Sequence, residues 1–154
     1  MTDAIEDKLS GFGIQLPPPP QPKGSYVPVV EHGGMAWVSG MLPLVDGKLL
    51  KKGLVDAEVN TVDAKECARW ATLNGLSALK AALGSLDRVR RIVRLGVFVA
   101  SAASFTAQPE VANGASDLLV TLFGESGRHA RAAVGVARLP LDSPVEVELL
   151  VAVE

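Results

Sequence analysis

The chain has 154 residues, a formal net charge of −2, 48% hydrophobic and 21% charged residues. That length fits a single domain, and the charge balance argues against nucleic acid as the main partner, because non-specific affinity for it comes from a basic surface on phosphates. One cysteine, Cys67, excludes an intrachain disulfide, and two histidines beside it give no zinc-binding spacing, so no metal or other cofactor is expected.

The start MTDAIEDKLS is acidic and lacks the basic apolar pattern of a secretory signal, and no apolar run reaches about 18 residues. The expectation is a cytoplasmic chain with no membrane span. AIEDKLSGF, residues 4–12, predicts a short helix stopped by Gly11 and Gly13. LPPPPQPKG follows, and consecutive prolines favour polyproline II and cannot continue a helix. Residues 1–24 therefore read as an N-terminal arm, a short helix plus a stiff proline-rich segment, and residues 25–154 as the domain.

YVPVVEHGGMAWVSGMLPL predicts strands over about 26–31 and 35–41, joined at His32-Gly33-Gly34. Pro28 places the first at an edge or gives it an irregular start. VDGK, residues 45–48, is a turn signal, and Leu49, Leu50 and Val55 flank a short extended piece. Residues 62–83 predict the longest helix, with Thr61 or Asn60 as cap, Asp63 in its first turn and Gly84 as its stop. Ala64, Cys67, Ala68, Ala71, Gly75, Ala78, Leu79 and Ala82 repeat near 3.6 and form a narrow face suited to close packing on a sheet. Cys67 in that pattern reads as a small buried hydrophobe.

RVRRIVRLGVFVA, residues 88–100, predicts a strand. Alternation puts Val89, Arg91, Val93, Leu95, Val97 and Val99 on one face and Arg90, Ile92, Arg94, Gly96, Phe98 and Ala100 on the other. Both faces of its second half are apolar, so both are expected to be covered. The same alternation separates Arg90 and Arg94 from Arg91, and no paired aromatic platform flanks the cluster. The cluster, with Arg88, reads as a solvated strand start. A second helix follows at about 108–123, with Pro109 near its start, then strands over 132–138 and 145–153 around an LPLDSP turn.

The order β-β-(β)-α-β-α-β-β predicts an α+β mixed sheet with two helices packed on one face. Val145, Val147, Leu149, Val151 and Val153 fill one side of the last strand, and Glu146, Glu148, Leu150, Ala152 and Glu154 the other. A mixed face of that kind suits water, or a subunit interface with a polar pocket in it. Trp37 and Trp70 read as packing residues, and His129, in a turn beside Arg128 and Arg131, as a solvated one.

Five stretches carry a family likeness: GSYVPVV, GGMAWVSGMLPL, RLGVFVASAASF, VANGASDLL and, above all, RHARAAVGVARLPLDSPVEVELLV. Over most of residues 25–153 the chain resembles the RidA/YjgF family, also named L-PSP endoribonucleases. The resemblance implies a chorismate-mutase-like fold that assembles as a homotrimer, with ligand clefts between neighbouring subunits. It also implies the activity of a 2-iminobutanoate/2-iminopropanoate deaminase: hydrolysis of reactive enamines and imines to 2-oxo acids and ammonia. By the same resemblance the substrate-binding arginine falls on Arg131, the carboxylate on Glu146, the pocket tyrosine on Tyr26, the serine of the SG pair on Ser39 and a helix asparagine on Asn113. Many enamine-hydrolysing relatives carry cysteine where this chain has Ala133. The arm and the added length around 106–128 resemble a longer subgroup.

The implied pair makes chemical sense. An amino-acid imine offers a carboxylate, which an arginine fork holds by two parallel hydrogen bonds, and a C=N carbon, which water attacks if a carboxylate orients it and moves a proton. Two other functions stand beside this one. An RNA-acting endoribonuclease or translation inhibitor would use the arginine cluster as its phosphate footprint. A non-catalytic binder of small carboxylates would keep Arg131 and lose dependence on Glu146.

Overall fold

The hydrophobic periodicities resolve into a five-stranded sheet covered by helices on one side. The computed structural model describes residues 3–154, so Met1 and Thr2, the start of the arm, lie outside the described residues. The elements are α1 (Ala4–Gly11), β1 (Val29–His32), β2 (Met35–Met41), β3 (Leu44–Val45), β4 (Lys48–Leu49), α2 (Thr61–Leu83), β5 (Val89–Ala100), α3 (Gln108–Phe123), β6 (Ala130–Val136) and β7 (Val145–Val153). The sheet order is β1-β2-β7-β5-β6, with β3 and β4 forming a separate small hairpin. The last strand thus lies at the centre, antiparallel to both neighbours. Within the described sheet the parallel pair is β5 and β6, a pairing that needs a crossover, and α3 supplies it. The α+β class with α2 and α3 on one face is as expected.

β7 alternates strictly. Its five valines and leucines at odd positions are buried under the helices, while Glu146, Glu148, Leu150 and Ala152 are half-buried on the open face. β5 does not follow simple alternation. Register shifts between Val89 and Arg91, and between Ile92 and Arg94, reset the period. Val89, Ile92, Leu95, Val97 and Val99 all become buried. Arg91 and Arg94 pair with Ala152 and Leu150 and so share the open face, which corrects the expected separation of the arginines.

α2 begins at Asn60, whose side chain accepts from the Asp63 amide at 2.8 Å. Such a cap is worth about 1 kcal/mol. The middle of the helix, residues 71–79, is buried all round rather than along one stripe. The sheet, α3, the β3–β4 hairpin and the proline segment each cover part of it. Asn74 donates to the carbonyls of Leu42 and Leu44 at 2.9 and 3.0 Å, and Ser77 donates to the Pro17 carbonyl at 2.5 Å. Ala82, assigned to the buried stripe by periodicity, is exposed. Cys67 is fully buried, and that burial pushes its thiol up to about 12, so little thiolate is present at neutral pH.

The arm is anchored. Asp3 caps α1 by accepting from the Ile5 and Glu6 amides, and also accepts from the Ser85 hydroxyl at 2.6 Å and the Leu86 amide at 2.8 Å. Ile5 and Leu9 are buried in the same core as the sheet. Pro18 and Pro19 stay exposed.

α2 and α3 cross closely at Gly114, where an added Cβ would stand 2.0 Å from the Lys65 carbonyl oxygen. Gly114→Ala must therefore force the helices apart, and overpacking of this kind costs about 1–3 kcal/mol. Urea unfolding of that variant is expected to show a lower midpoint with an unchanged slope; an unshifted midpoint would mean the crossing yields without cost.

Candidate functional site

The residues assigned by resemblance divide into two clusters on opposite faces of the sheet. Arg131 lies on β6 opposite Leu95, a buried residue of the helix-covered face. Its Nη1 donates to Asn113 Oδ1 at 2.7 Å and to Ser116 Oγ at 3.1 Å, both on α3. Arg131 and Asn113 are therefore brought together, with Arg131 itself exposed.

Glu146 belongs to the other cluster. It pairs with Phe98 on β5 and takes the open face. β7 and β6 are two strands apart, about 10 Å in the hydrogen-bonding direction, so one chain does not bring Glu146 to its own Arg131. The Glu146 carboxylate lies over Gly40 of β2, where a Cβ would sit 2.5 Å from Oε1. Glu148 leans the other way, over Gly96 of β5, where a Cβ would be 2.8 Å from Oε1. Two like charges on alternate residues of one strand face thus diverge, and each needs a glycine beneath it. Glu148 is neutralised by Arg94 at 3.1 Å. Glu146 has no ion-pair partner among the described residues. Burial, and secondarily the charge of Glu148, hold its carboxyl above the usual glutamate range.

Ser39 is next in sequence to Gly40, the residue under the Glu146 carboxylate. It lies at the irregularity where β2 shifts register against β7. Its hydroxyl donates to the Val27 carbonyl at 2.7 Å, and its amide to the Pro28 carbonyl at 2.8 Å. This fixes the segment carrying Tyr26, a residue that is 54% exposed. Around the same face lie Val30, Trp37 and Val134, each nearly half exposed. Trp37, expected in packing, is on the open side of this chain, whereas Trp70 packs against the core.

Three participants escaped sequence reasoning. Gly96 sits beneath Glu148. Ser116 and His129 join Arg131's cluster: His129 Nε2 is 2.9 Å from Ser116 Oγ, and Nδ1 is 2.6 Å from the Gly127 carbonyl oxygen. His129 is thus half-buried and engaged at both nitrogens, not a solvated turn residue. The usable signals were spacings: Asn113 and Ser116 are three apart on a helix, and His129 and Arg131 two apart at a strand.

The arginine cluster is internally committed. Arg88 pairs with Glu31 at 2.7 Å, Arg90 with Glu154, and Arg94 with Glu148; Arg91 donates to the Arg128 carbonyl at 3.0 Å. Among the described residues no group of three or more His, Cys, Asp or Glu is placed to hold a metal ion. No helix there is long and apolar enough to cross a membrane.

A family model described as "YjgF/chorismate_mutase-like, putative endoribonuclease" matches residues 6–153. The chain belongs to the RidA/YjgF family. It is 48% identical to Protein TCP17 of Trypanosoma cruzi, over 96% of this chain and 92% of that one. It is 28% identical to a 2-iminobutanoate/2-iminopropanoate deaminase of Dermatophagoides farinae, over 92% and 95% of the respective chains. The crystal structure of Atu1372, a protein of unknown function from Agrobacterium tumefaciens, superposes with a TM-score of 0.92 at 42% identity, covering 98% of this chain and 93% of that one. The match from residue 6 onward takes in most of α1, in keeping with its buried residues.

The Glu146 geometry has a measurable consequence. A carboxyl held above its ordinary range binds its proton more tightly in the fold than in the unfolded chain. Its charge therefore subtracts stability at neutral pH, and that loss fades as the pH falls through the raised value toward the ordinary one. Carboxyl-carbon NMR is expected to show Glu146 titrating above ordinary glutamates. Glu148→Gln should lower that midpoint without abolishing the elevation, since burial is the larger cause. An ordinary Glu146 titration in the wild type would contradict the burial seen here.

Proposed function

We propose that this chain hydrolyses small reactive imines and enamines of the 2-iminobutanoate and 2-iminopropanoate type, and that the working site forms between copies in a homotrimer. The observation that carries this reading is that the arginine cluster lies on one face of the sheet and the carboxylate cluster on the other. The half-exposed apolar residues around Glu146 support a covering subunit, because large exposed apolar patches are uncommon on monomers. The name of the Dermatophagoides relative supports the reaction class.

In this reading Arg131 holds the substrate carboxylate and Glu146 of a neighbouring copy faces the C=N carbon. Glu146 orients a water, which adds to that carbon as the imine nitrogen takes up a proton. The carbinolamine then expels ammonia as its hydroxyl becomes the carbonyl of the 2-oxo acid. A carboxyl titrating above the usual range is a better proton carrier near neutral pH than an ordinary one. In this reading the Tyr26 hydroxyl reaches the same substrate, and Ser39, whose hydrogen is given to the Val27 carbonyl, holds the segment that carries Tyr26. The imine is intrinsically reactive, so positioning contributes most of the acceleration, and no step calls on a cofactor.

Mixing inactive variants tests the division directly. Arg131→Ala and Glu146→Gln are each expected to lose most imine-dependent ammonia release while remaining trimeric by light scattering. Denatured together and refolded one to one, about three quarters of the trimers are hybrids with one intact site of three, so about a quarter of wild-type activity should return. Absence of recovery in demonstrated hybrid trimers would show that the two residues do not share a site across subunits, and a monomeric wild type would end the assembly.

A further inference from the structure

The guanidinium of Arg131 is the end of a hydrogen-bonded chain whose direction is set, for a neutral His129 ring, by the Gly127 carbonyl. The Gly127 carbonyl can only accept, so His129 Nδ1, 2.6 Å away, carries the proton. In the neutral ring Nε2 is then an acceptor, and the Ser116 hydroxyl donates to it at 2.9 Å. Ser116 Oγ in turn accepts from Arg131 Nη1 at 3.1 Å, and the same nitrogen donates to Asn113 Oδ1 at 2.7 Å. Nη1 has two hydrogens, and both are spent. The remaining donors, on Nε and Nη2, form one edge with two parallel N–H groups, which is the geometry a planar carboxylate accepts.

We infer that Ser116 and His129 are positioning residues that lock the rotation of the Arg131 guanidinium and present its Nε–Nη2 edge to the substrate carboxylate. This rests on the reading of Arg131 as the carboxylate ligand. The local structure explains the precision. Asn113 and Ser116, one helical turn apart on α3, form two acceptors in line, and His129, just before β6, and Arg131, within it, meet them from the other side. His129 acts only through Ser116. It withdraws the serine hydrogen, so that the serine oxygen is left to face the arginine as an acceptor.

The test uses Ser116→Ala, His129→Phe and His129→Gln in the full-length protein. The probes are 2-oxobutyrate and its amide, 2-oxobutanamide, measured by calorimetry beside imine-dependent ammonia release. Ser116→Ala and His129→Phe should raise Kd for 2-oxobutyrate and KM for the imine roughly 3- to 10-fold, the range of one lost hydrogen bond, with kcat nearly unchanged. Binding of 2-oxobutanamide, which has no carboxylate, should not change. His129→Gln, whose amide oxygen can accept from Ser116, should recover most of the loss. Nitrogen NMR of the unliganded protein should show slower rotation about the Arg131 Cζ–N bonds in wild type than in Ser116→Ala. The inference is overturned by an equal loss for both probes, by His129→Gln as damaging as His129→Phe, or by unchanged binding and rotation in Ser116→Ala. If the wild type binds no 2-oxo acid and hydrolyses no imine, the proposed function fails, and the rotation measurement alone then decides whether Ser116 locks the guanidinium.

Discussion

A β-strand gives each side chain one of two faces and no third choice, and the arrangement of this protein follows from that constraint. β7 must bury Val145, Val147, Leu149, Val151 and Val153 against α2 and α3, so Glu146 and Glu148 are forced onto the uncovered side. Burying five aliphatic side chains favours this register by roughly 1.5–3 kcal/mol each, as an upper bound. A slip of one residue would reverse both sets. The position of the glutamates is thus a consequence of core packing, and it would hold whether or not they perform chemistry.

The same rule separates the two clusters. β6 runs parallel to β5 with Arg131 beside Leu95, so the arginine follows the leucine to the helix-covered face and meets α3. At the sheet edge it can reach its α3 partners and still expose its remaining donors. Glu146 and Arg131 are only 15 residues apart, yet the strand pleat puts the sheet between them. A substrate that needs both would need two copies of the chain, and this links catalysis to assembly in the proposed function.

Glycine has a local role in this scheme. Gly40 and Gly96 flank β7 and leave room for glutamate side chains to lie flat in opposite directions. Their divergence lets Arg94 neutralise one carboxylate and leaves the other without an ion-pair partner among the described residues, so two residues of the same type acquire different electrostatics. On the opposite face, the Ser116–His129 chain does for Arg131 what the glycines do for the glutamates: it selects one orientation of a side chain that would otherwise sample many.

The sequence by itself determined much of this. Element types and most boundaries were legible because apolar residues recur at 3.6 in α2 and at 2 in β7, and because Asn60 and Gly84 punctuate α2. The family was legible in the ordered motif from Arg128 to Val151, and the match over residues 6–153 accords with it. Other features required the tertiary structure. Two register shifts in β5 moved Arg91 to the side of Arg94, because a bulge depends on pairing with another strand and leaves no mark in alternation. α2 is buried beyond its stripe because segments distant in sequence, Pro17 and the β3–β4 hairpin, close over it. His129 reads as a turn residue until α3 places Ser116 beside it. Local sequence fixes what each segment prefers for itself, whereas the meeting of His129 with Ser116 and the separation of Arg131 from Glu146 are decided only when the sheet closes, because both are relations between strands and helices and not properties of either.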